Sequence, residues 1–171
     1  PIYGFGKSEE IIGNVCHSIR KNVVIATKTG LQWDNFGKVN HNLSYDFIMT
    51  DIDNSLKRLK TDYIDLYQIH WPDPNTPLDI TFSALTHLKN TNVIKNIGVS
   101  NFNIDLLKSA LDLSNICSIQ NQYNLLQKDI ENDILPFCIQ NNISVIAYSA
   151  LAQGLLSGKF DRNYKLSQND V

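Results

Sequence analysis

Short apolar runs alternate with longer amphipathic segments along the chain. Five runs, at residues 22–27, 63–69, 96–101, 118–123 and 144–148, contain many β-branched or aromatic residues and have the length of strands. Apolar residues three or four positions apart predict helices at 8–20, 44–60, 78–90, 104–113 and 129–141. The pattern therefore predicts five strands, each preceded by a helix.

The first two predicted helices begin at serines. Ser8 and Ser44 are expected N-caps, because a serine hydroxyl can accept a hydrogen bond from a free amide of the first turn. The first helix has an apolar stripe, formed by Ile11, Ile12, Val15 and Ile19. Residues 30–43 lie between a predicted strand and the second helix, and we expect a polar loop there.

Alternating helices and strands favour parallel strands joined by right-handed crossover helices. Two architectures fit this order, an open doubly wound sheet and a (β/α)8 TIM barrel. No Gly-x-Gly-x-x-Gly turn follows a predicted strand, which weakens the case for a dinucleotide-binding open sheet. We therefore expect an α/β fold as a single domain over residues 1–171, in which the barrel and the open sheet both stay possible at this point.

Polar or ionisable residues stand at the ends of all five predicted strands. They are Lys28, His70, Ser100 with Asn101, Gln120 and Tyr148. In a barrel of this type the functional groups collect at the C-terminal ends of the strands. Each of these residues alone is common in a packing or capping role. Five polar strand ends together favour a functional site.

Composition excludes several classes of protein. The formal net charge of -2 gives no general attraction for nucleic acid or for an anionic membrane. No apolar run approaches the ~20 residues that span a bilayer, and the first residues lack the basic region and apolar core of a signal peptide. Three widely spaced cysteines, Cys16, Cys117 and Cys138, have no metal-ligand spacing. We expect a cytoplasmic protein with reduced thiols and no metal site.

Six motifs stand in a fixed order along the chain. They are Tyr3-Gly4-x-Gly6-x-Ser8-Glu9, Ala26-Thr27-Lys28, Asp62-Tyr63-Ile64-Asp65-Leu66-Tyr67-x-Ile69-His70, Gly98-Val99-Ser100-Asn101-Phe102, Gln120-Asn121-x-Tyr123-Asn124 and Ala147-Tyr148-Ser149-x-Leu151-x-x-Gly154-Leu155-Leu156. Over about residues 1–160 the chain closely resembles the aldo-keto reductases, especially the bacterial, plant and fungal reductases near the potassium-channel β-subunit group. The resemblance implies a barrel that uses NADP, or NAD, to reduce small aldehydes or ketones.

The resemblance also implies a catalytic group. Tyr3 matches the tyrosine that donates a proton to the carbonyl oxygen. A free phenol has a pKa of about 10, and an ammonium beside it, here that of Lys28, favours the phenolate and so makes the phenol a stronger acid. His70 matches the residue that hydrogen-bonds the carbonyl oxygen and orients the substrate, in the manner of an oxyanion hole.

A cofactor site follows from the same resemblance. Ser100, Asn101 and Gln120 match residues that bind the nicotinamide carboxamide, and Tyr148 matches an aromatic residue that stacks on the nicotinamide ring. The next loop would approach the pyrophosphate with small residues and free amides, at Ser149, Leu151, Gln153, Gly154 and Leu155. Trp33 and Trp71 are expected to form walls of an apolar substrate pocket.

Part of the family pattern has no counterpart in these residues. The family's catalytic Asp precedes the tyrosine by a few positions, and Tyr3 is only the third residue here. The segment that recognises the adenosine 2′-phosphate comes later in the family than residue 171. The resemblance therefore implies an incomplete (β/α)8 TIM barrel over residues 1–171, with about five of the eight strands. The alternative is a truncated or non-catalytic barrel of the regulatory β-subunit type, which binds cofactor weakly or not at all.

Overall fold

The computed structural model describes residues 1–34, 36–161 and 164–165. Its strands are β1 (Ala26–Thr29), β2 (Leu31–Trp33), β3 (Val39–His41), β4 (Ile64–Ile69), β5 (Ile94–Ser100), β6 (Ile116–Gln122) and β7 (Ser144–Tyr148). Its α-helices are α1 (Lys7–Cys16), α2 (Tyr45–Leu59), α3 (Leu78–Asn90), α4 (Ile104–Leu113) and α5 (Ile134–Gln140). Shorter 3-10 segments cover His17–Asn22, Asp129–Glu131 and Ala152–Ser157. The predicted single domain runs to residue 171, and residues 162–163 and 166–171 lie outside the described part.

Five of these strands form one parallel sheet, in the order β1-β4-β5-β6-β7. Each strand therefore lies beside the next strand of this sheet along the chain, and α2, α3, α4 and α5 fall between successive strands. The C-terminal ends of parallel strands meet at one edge, so the polar strand ends are brought to the same side of the molecule. The predicted α/β fold with five parallel strands is confirmed.

The two faces of the sheet differ in character. Tyr67, Ile69, Ile97, Val99 and Ile119 are fully buried and belong to the main apolar core with the helices. The alternate positions form a second row across neighbouring strands, in which Lys28 pairs with Gln68, Gln68 with Gly98, and Gly98 with Ser118. Since side chains two residues apart share a face, the face that carries this row also carries Ser100 and Gln120. The candidate chemistry therefore lies on the face opposite the main core.

Helix α1 departs from its prediction at both ends. It ends at Cys16, and the chain continues to Asn22 as a 3-10 segment. Its N-cap is Gly6, at a φ of 93°, and Ser8 lies inside the helix. The predicted cap at Ser8 is wrong because the helix begins earlier, with its N-cap two residues before Ser8. The predicted cap at Ser44 is confirmed, since its Oγ accepts a hydrogen bond from the Phe47 amide.

The buried side of α1 is not its apolar stripe. The stripe side chains are 38–67% exposed, namely Ile11, Ile12, Val15 and Ile19. Glu9 and Gly13 are buried instead. Glu9 forms a 2.7 Å salt bridge with Arg58 of α2, and a Cβ on Gly13 would lie 2.3 Å from the carbonyl oxygen of Arg58. Close backbone contact and an ion pair therefore orient this helix, and its apolar stripe is left exposed by the described residues.

Residues 30–43 contain a two-stranded hairpin rather than only a loop. Strands β2 and β3 are antiparallel, with Leu31 opposite His41 and Trp33 opposite Val39. The Asp34 carboxylate accepts hydrogen bonds from the amides of Phe36 and Lys38, and Gly37 has a φ of 79°. An Asp that bonds the backbone two residues on, followed by Gly, is a turn signal. The hairpin was therefore readable from Asp34 and Gly37, but its short strands gave no clear alternation.

The observed bounds of two other elements differ from the predicted ones by a few residues. β1 lies four residues later than the predicted start, so Lys28 is inside the strand rather than beyond its end. The helix predicted at 129–141 is divided into the 3-10 segment Asp129–Glu131 and α5. Pro136 lies in the first turn of α5, where a missing amide hydrogen is tolerated. Among the described residues no helix is both long and apolar enough to cross a membrane.

Candidate active site

The fold brings Tyr3, Lys28 and His70 together. The Tyr3 hydroxyl lies 3.4 Å from Nε2 of His70, and Lys28 Nζ lies 5.7 Å from the centre of the Tyr3 ring. Lys28 comes from β1 and His70 directly follows β4, the strand paired with β1. The Tyr3 ring is 57% exposed, whereas His70 is only 8% exposed. The phenol can therefore contact a ligand that enters from solvent, while the buried imidazole lies beside the phenol hydroxyl.

A tight turn presents Tyr3 to the end of the sheet. The amides of Phe5 and Gly6 donate to the carbonyls of Ile2 and Pro1. Gly4, Phe5 and Gly6 have φ values of 60°, 51° and 93°, a left-handed run that favours glycine. The two glycines of the Tyr-Gly-x-Gly motif thus have a local backbone reason. The Phe5 ring packs against Trp33 of β2 at a centroid distance of 5.9 Å.

Burial controls the charge state of the two basic groups. Burial lowers the pKa of Lys28 below its ordinary range. Burial, followed by the positive charge of Lys28, lowers the pKa of His70 from 6.5 to about 4. His70 is therefore neutral near pH 7, with one ring nitrogen able to donate and the other able to accept. A neutral donor beside a phenol and an ammonium can stabilise negative charge that develops on a carbonyl oxygen.

The predicted cofactor residues at the strand ends are joined by hydrogen bonds. The Ser100 hydroxyl donates to the Gln120 carbonyl at 2.7 Å, and the Tyr148 hydroxyl donates to Asn101 Oδ1 at 2.9 Å. A cavity of about 310 Å³ is bordered by Trp71, Asn101 and Tyr148, among others. The structure therefore places one predicted substrate residue next to two predicted cofactor residues.

Trp33 borders a different cavity, of about 140 Å³, together with Phe47 and Asp51. Trp33 and Trp71 thus do not line a common cavity in this structure. The predicted substrate-pocket role of Trp33 stays a prediction.

The loop after β7 approaches the same end of the sheet. Ser149, Gln153 and Gly154 have φ values of 54°, 55° and 97°. Leu151 and Leu155 are more than half exposed. The Asn124 side chain donates to the Ser149 carbonyl at 3.0 Å and thereby fixes the beginning of the loop.

Sequence reasoning gave no role to two asparagines at this end of the sheet. Asn124 holds the loop after β7, and Asn121 accepts a 2.9 Å hydrogen bond from the Asn101 amide. Both are buried. The signal available was their place in the motif Gln120-Asn121-x-Tyr123-Asn124, near the end of the strand predicted at 118–123.

The largest described cavity, about 680 Å³, lies at the other end of β4 and includes Arg20 and Tyr63. Arg20 forms a 2.8 Å salt bridge with Asp65 and donates to Thr61 and to the Tyr63 carbonyl. Its guanidinium also stacks on the Tyr63 ring. These contacts hold the buried guanidinium between the 3-10 segment His17–Asn22 and the N-terminal end of β4.

Comparison with known proteins agrees with this arrangement. Residues 1–170 match the Aldo/keto reductase family. The chain is 40% identical, over 173 aligned residues, to the Bacillus subtilis (strain 168) aldo-keto reductase YhdN, covering 100% of this chain and 52% of that protein. It is 38% identical to the NADH-specific methylglyoxal reductase of Escherichia coli (strain K12), covering 96% of this chain and 54% of that protein. The chain belongs to the aldo/keto reductase family and spans about half the length of the curated relatives it matches.

Solved structures show the same likeness in three dimensions. The Gluconobacter oxydans glycerol dehydrogenase AKR11B4 superposes with a TM-score of 0.95 at 38% identity, over 100% of this chain and 54% of that one. A Klebsiella pneumoniae aldo/keto reductase in complex with NADP and acetate superposes with a TM-score of 0.77 at 30% identity, over 90% of this chain and 52% of that one. The described sheet therefore corresponds to about half of an aldo-keto reductase TIM barrel.

Proposed function

We propose that the protein carrying this chain reduces aldehydes or ketones to alcohols with a nicotinamide cofactor. The observation that carries the proposal is the 3.4 Å approach of the Tyr3 hydroxyl to His70 Nε2 with Lys28 beside the phenol. These three side chains come from distant parts of the chain and meet at the C-terminal ends of parallel strands, where barrels of this class carry their active sites. The family membership agrees with this chemistry.

When bound, the reduced cofactor supplies a hydride to the carbonyl carbon. Negative charge then grows on the carbonyl oxygen, and Tyr3 donates its phenolic proton to that oxygen. The Lys28 ammonium stabilises the phenolate that is left. His70, neutral because its pKa is about 4, donates a hydrogen bond to the same oxygen and orients the substrate.

The cofactor proposal rests on residues at the ends of β5, β6 and β7. Ser100, Asn101 and Gln120 would hold the carboxamide, and the Tyr148 ring would stack on the nicotinamide. NADP is the first expectation and NAD the second, since one matched protein was solved with NADP and another is named as NADH-specific. The substrate class is small aldehydes or ketones, in line with a relative named for methylglyoxal.

The test is oxidation of NADPH or NADH by the complete protein with a panel of aliphatic and aromatic aldehydes. Tyr3→Phe is expected to lower kcat by about 100-fold or more, because general acid catalysis contributes roughly 10²–10⁴-fold. Tyr63→Phe is the matched control, since Tyr63 lies at the opposite end of β4. Equal rates for Tyr3→Phe and the unchanged protein contradict the role of Tyr3. Weak or absent cofactor binding, with no turnover of any carbonyl, favours the non-catalytic alternative.

A further inference from the structure

His70 has no side-chain anchor on its second ring nitrogen. Its Nδ1 is buried and has no hydrogen-bond partner among the described residues, while Nε2 faces the Tyr3 hydroxyl. A histidine whose orientation matters normally bonds its second nitrogen to a carboxylate or a carbonyl, which fixes the ring. The ring of His70 must therefore be oriented through its backbone and its packing.

The backbone of His70 is held from both sides. Its amide donates to the Thr29 carbonyl of β1 at 2.9 Å. Its carbonyl accepts a 2.9 Å hydrogen bond from Nδ2 of Asn101, the residue that follows β5. The regular pairing of β4 with β5 ends at Ile69 and Val99. The Asn101 side chain thus extends the sheet by one hydrogen bond, at the residue that faces the substrate.

Asn101 is itself fixed by neighbours. Its backbone is left-handed, with a φ of 60°, and its amide donates to the Gln120 carbonyl and to Asn121 Oδ1. The Tyr148 hydroxyl donates to Asn101 Oδ1 at 2.9 Å. Occupation of Oδ1 directs the NH₂ end of the side chain towards the His70 carbonyl. A chain of hydrogen bonds therefore runs from Tyr148 on β7 through Asn101 to His70.

We propose that the Tyr148 hydroxyl is a positioning group for His70, acting through Asn101. This role belongs to the hydroxyl and is separate from any stacking of the Tyr148 ring on the nicotinamide. It rests on the proposed function, because it concerns the geometry of the histidine that orients the carbonyl. Loss of the hydroxyl removes the hydrogen bond to Asn101 Oδ1. The side chain is then held by its two Nδ2 bonds, to the His70 carbonyl and to Ser100 Oγ, and its hold on His70 is weakened.

A double-mutant cycle on the complete protein tests the proposal, with Tyr148→Phe, His70→Gln and the double variant. Tyr148→Phe keeps the ring and is expected to lower kcat roughly three- to tenfold, the usual worth of one buried hydrogen bond. The cofactor Kd of each variant, measured by quenching of protein fluorescence, sets the saturating cofactor concentration at which kcat is compared, because Asn101 is also proposed to hold the carboxamide. In the His70→Gln background the same change is expected to have no further effect, since residues that act through one another are not additive.

Three results are decisive. Equal losses from Tyr148→Phe in both backgrounds, or no loss in the native background, each overturn the proposal. An unchanged kcat for His70→Gln instead overturns the proposed function of His70, so the two failures are distinguishable. Tyr123→Phe is the control, because its hydroxyl bonds Glu131 rather than Asn101. It is expected to leave kcat unchanged.

Discussion

The pKa of the His70 side chain is lowered by its burial and by a neighbouring positive charge. The loss of water and the nearby Lys28 ammonium both disfavour the imidazolium, which puts the pKa near 4. An ordinary histidine, with a pKa of about 6.5, is partly protonated at pH 6. His70 therefore stays a neutral hydrogen-bond donor over the range in which an exposed histidine changes its charge.

The lowered pKa of His70 predicts a dependence of stability on pH. Between pH 6.5 and about 4 the unfolded chain binds a proton at this residue that the folded chain does not. The free energy of unfolding therefore falls as the pH is lowered through this window. His70→Gln removes the titrating group, so the variant is expected to lose less stability than the native protein between pH 7 and pH 5. Urea unfolding at both pH values measures the difference, and equal losses contradict the assigned pKa.

Among the elements, α1 is placed by contacts that its hydrophobic pattern does not show. Glu9 is buried, accepts a hydrogen bond from the Thr27 hydroxyl of β1 and pairs with Arg58 of α2. A buried ion pair holds its two partners together, because separating them would leave an unpaired charge in the interior at a large cost in free energy. Gly13 then lets the two helix backbones meet. The orientation of α1 fixes the turn before it, and with it the position of Tyr3.

Gly13→Ala tests whether helix propensity or close packing against α2 has the larger effect on the free energy of unfolding. Alanine favours a helix over glycine by about 0.5–1 kcal/mol. The new Cβ would lie 2.3 Å from the Arg58 carbonyl oxygen and 2.8 Å from Leu59 Cα, both backbone atoms. Overpacking of this kind costs about 1–3 kcal/mol, so the clash is expected to win and lower the free energy of unfolding by about 1–2 kcal/mol. Chemical denaturation measures the change.

Asn14→Ala, on the exposed side of the same helix, is the matched control for Gly13→Ala. It raises helix propensity without a new contact, and a small increase in stability is expected. Stabilisation by both variants would mean that α1 and α2 are further apart than described.

Over the whole molecule, much apolar surface is left uncovered by the described residues. The α1 stripe, Val24, Leu125 and Ile139 are all largely exposed. Strands β1 and β7 are the outer strands of the parallel sheet. Parallel sheets are normally covered and closed, since exposed strand edges and apolar faces attract other chains. This surface is the part of the fold that the matched relatives, about twice as long, have the length to cover.

The 171-residue chain expressed alone is therefore expected to self-associate and to bind NADPH weakly. Size-exclusion chromatography with light scattering measures the association, and cofactor fluorescence titration measures the affinity. The complete protein is the control and is expected to bind more tightly. A monomeric 171-residue chain with an affinity equal to that of the complete protein contradicts this prediction.

Local sequence patterns correctly predicted those features that depend on interactions between residues close together in the chain. The bounds of α3, α4 and β7 and the cap at Ser44 follow from periodicity and short-range hydrogen bonding. The placement of polar residues at strand ends followed from the parallel order of the strands. The face of α1 and the anchoring role of Asn101 were not predictable, since each depends on partners distant in sequence. Asp34 and Gly37 signalled the turn of the β2–β3 hairpin, but its short strands show no clear alternation.

By itself, the sequence determined an α/β fold with five parallel strands and the identity of the groups at their ends. Hydrophobic periodicity and chain order are enough for that, because they act through neighbouring residues and strand direction. Only the tertiary structure decided that Tyr3 stands 3.4 Å from a residue 67 positions away, and that His70 is neutral and held through its backbone. Distances, burial and desolvation depend on which surfaces meet, and no local pattern specifies that.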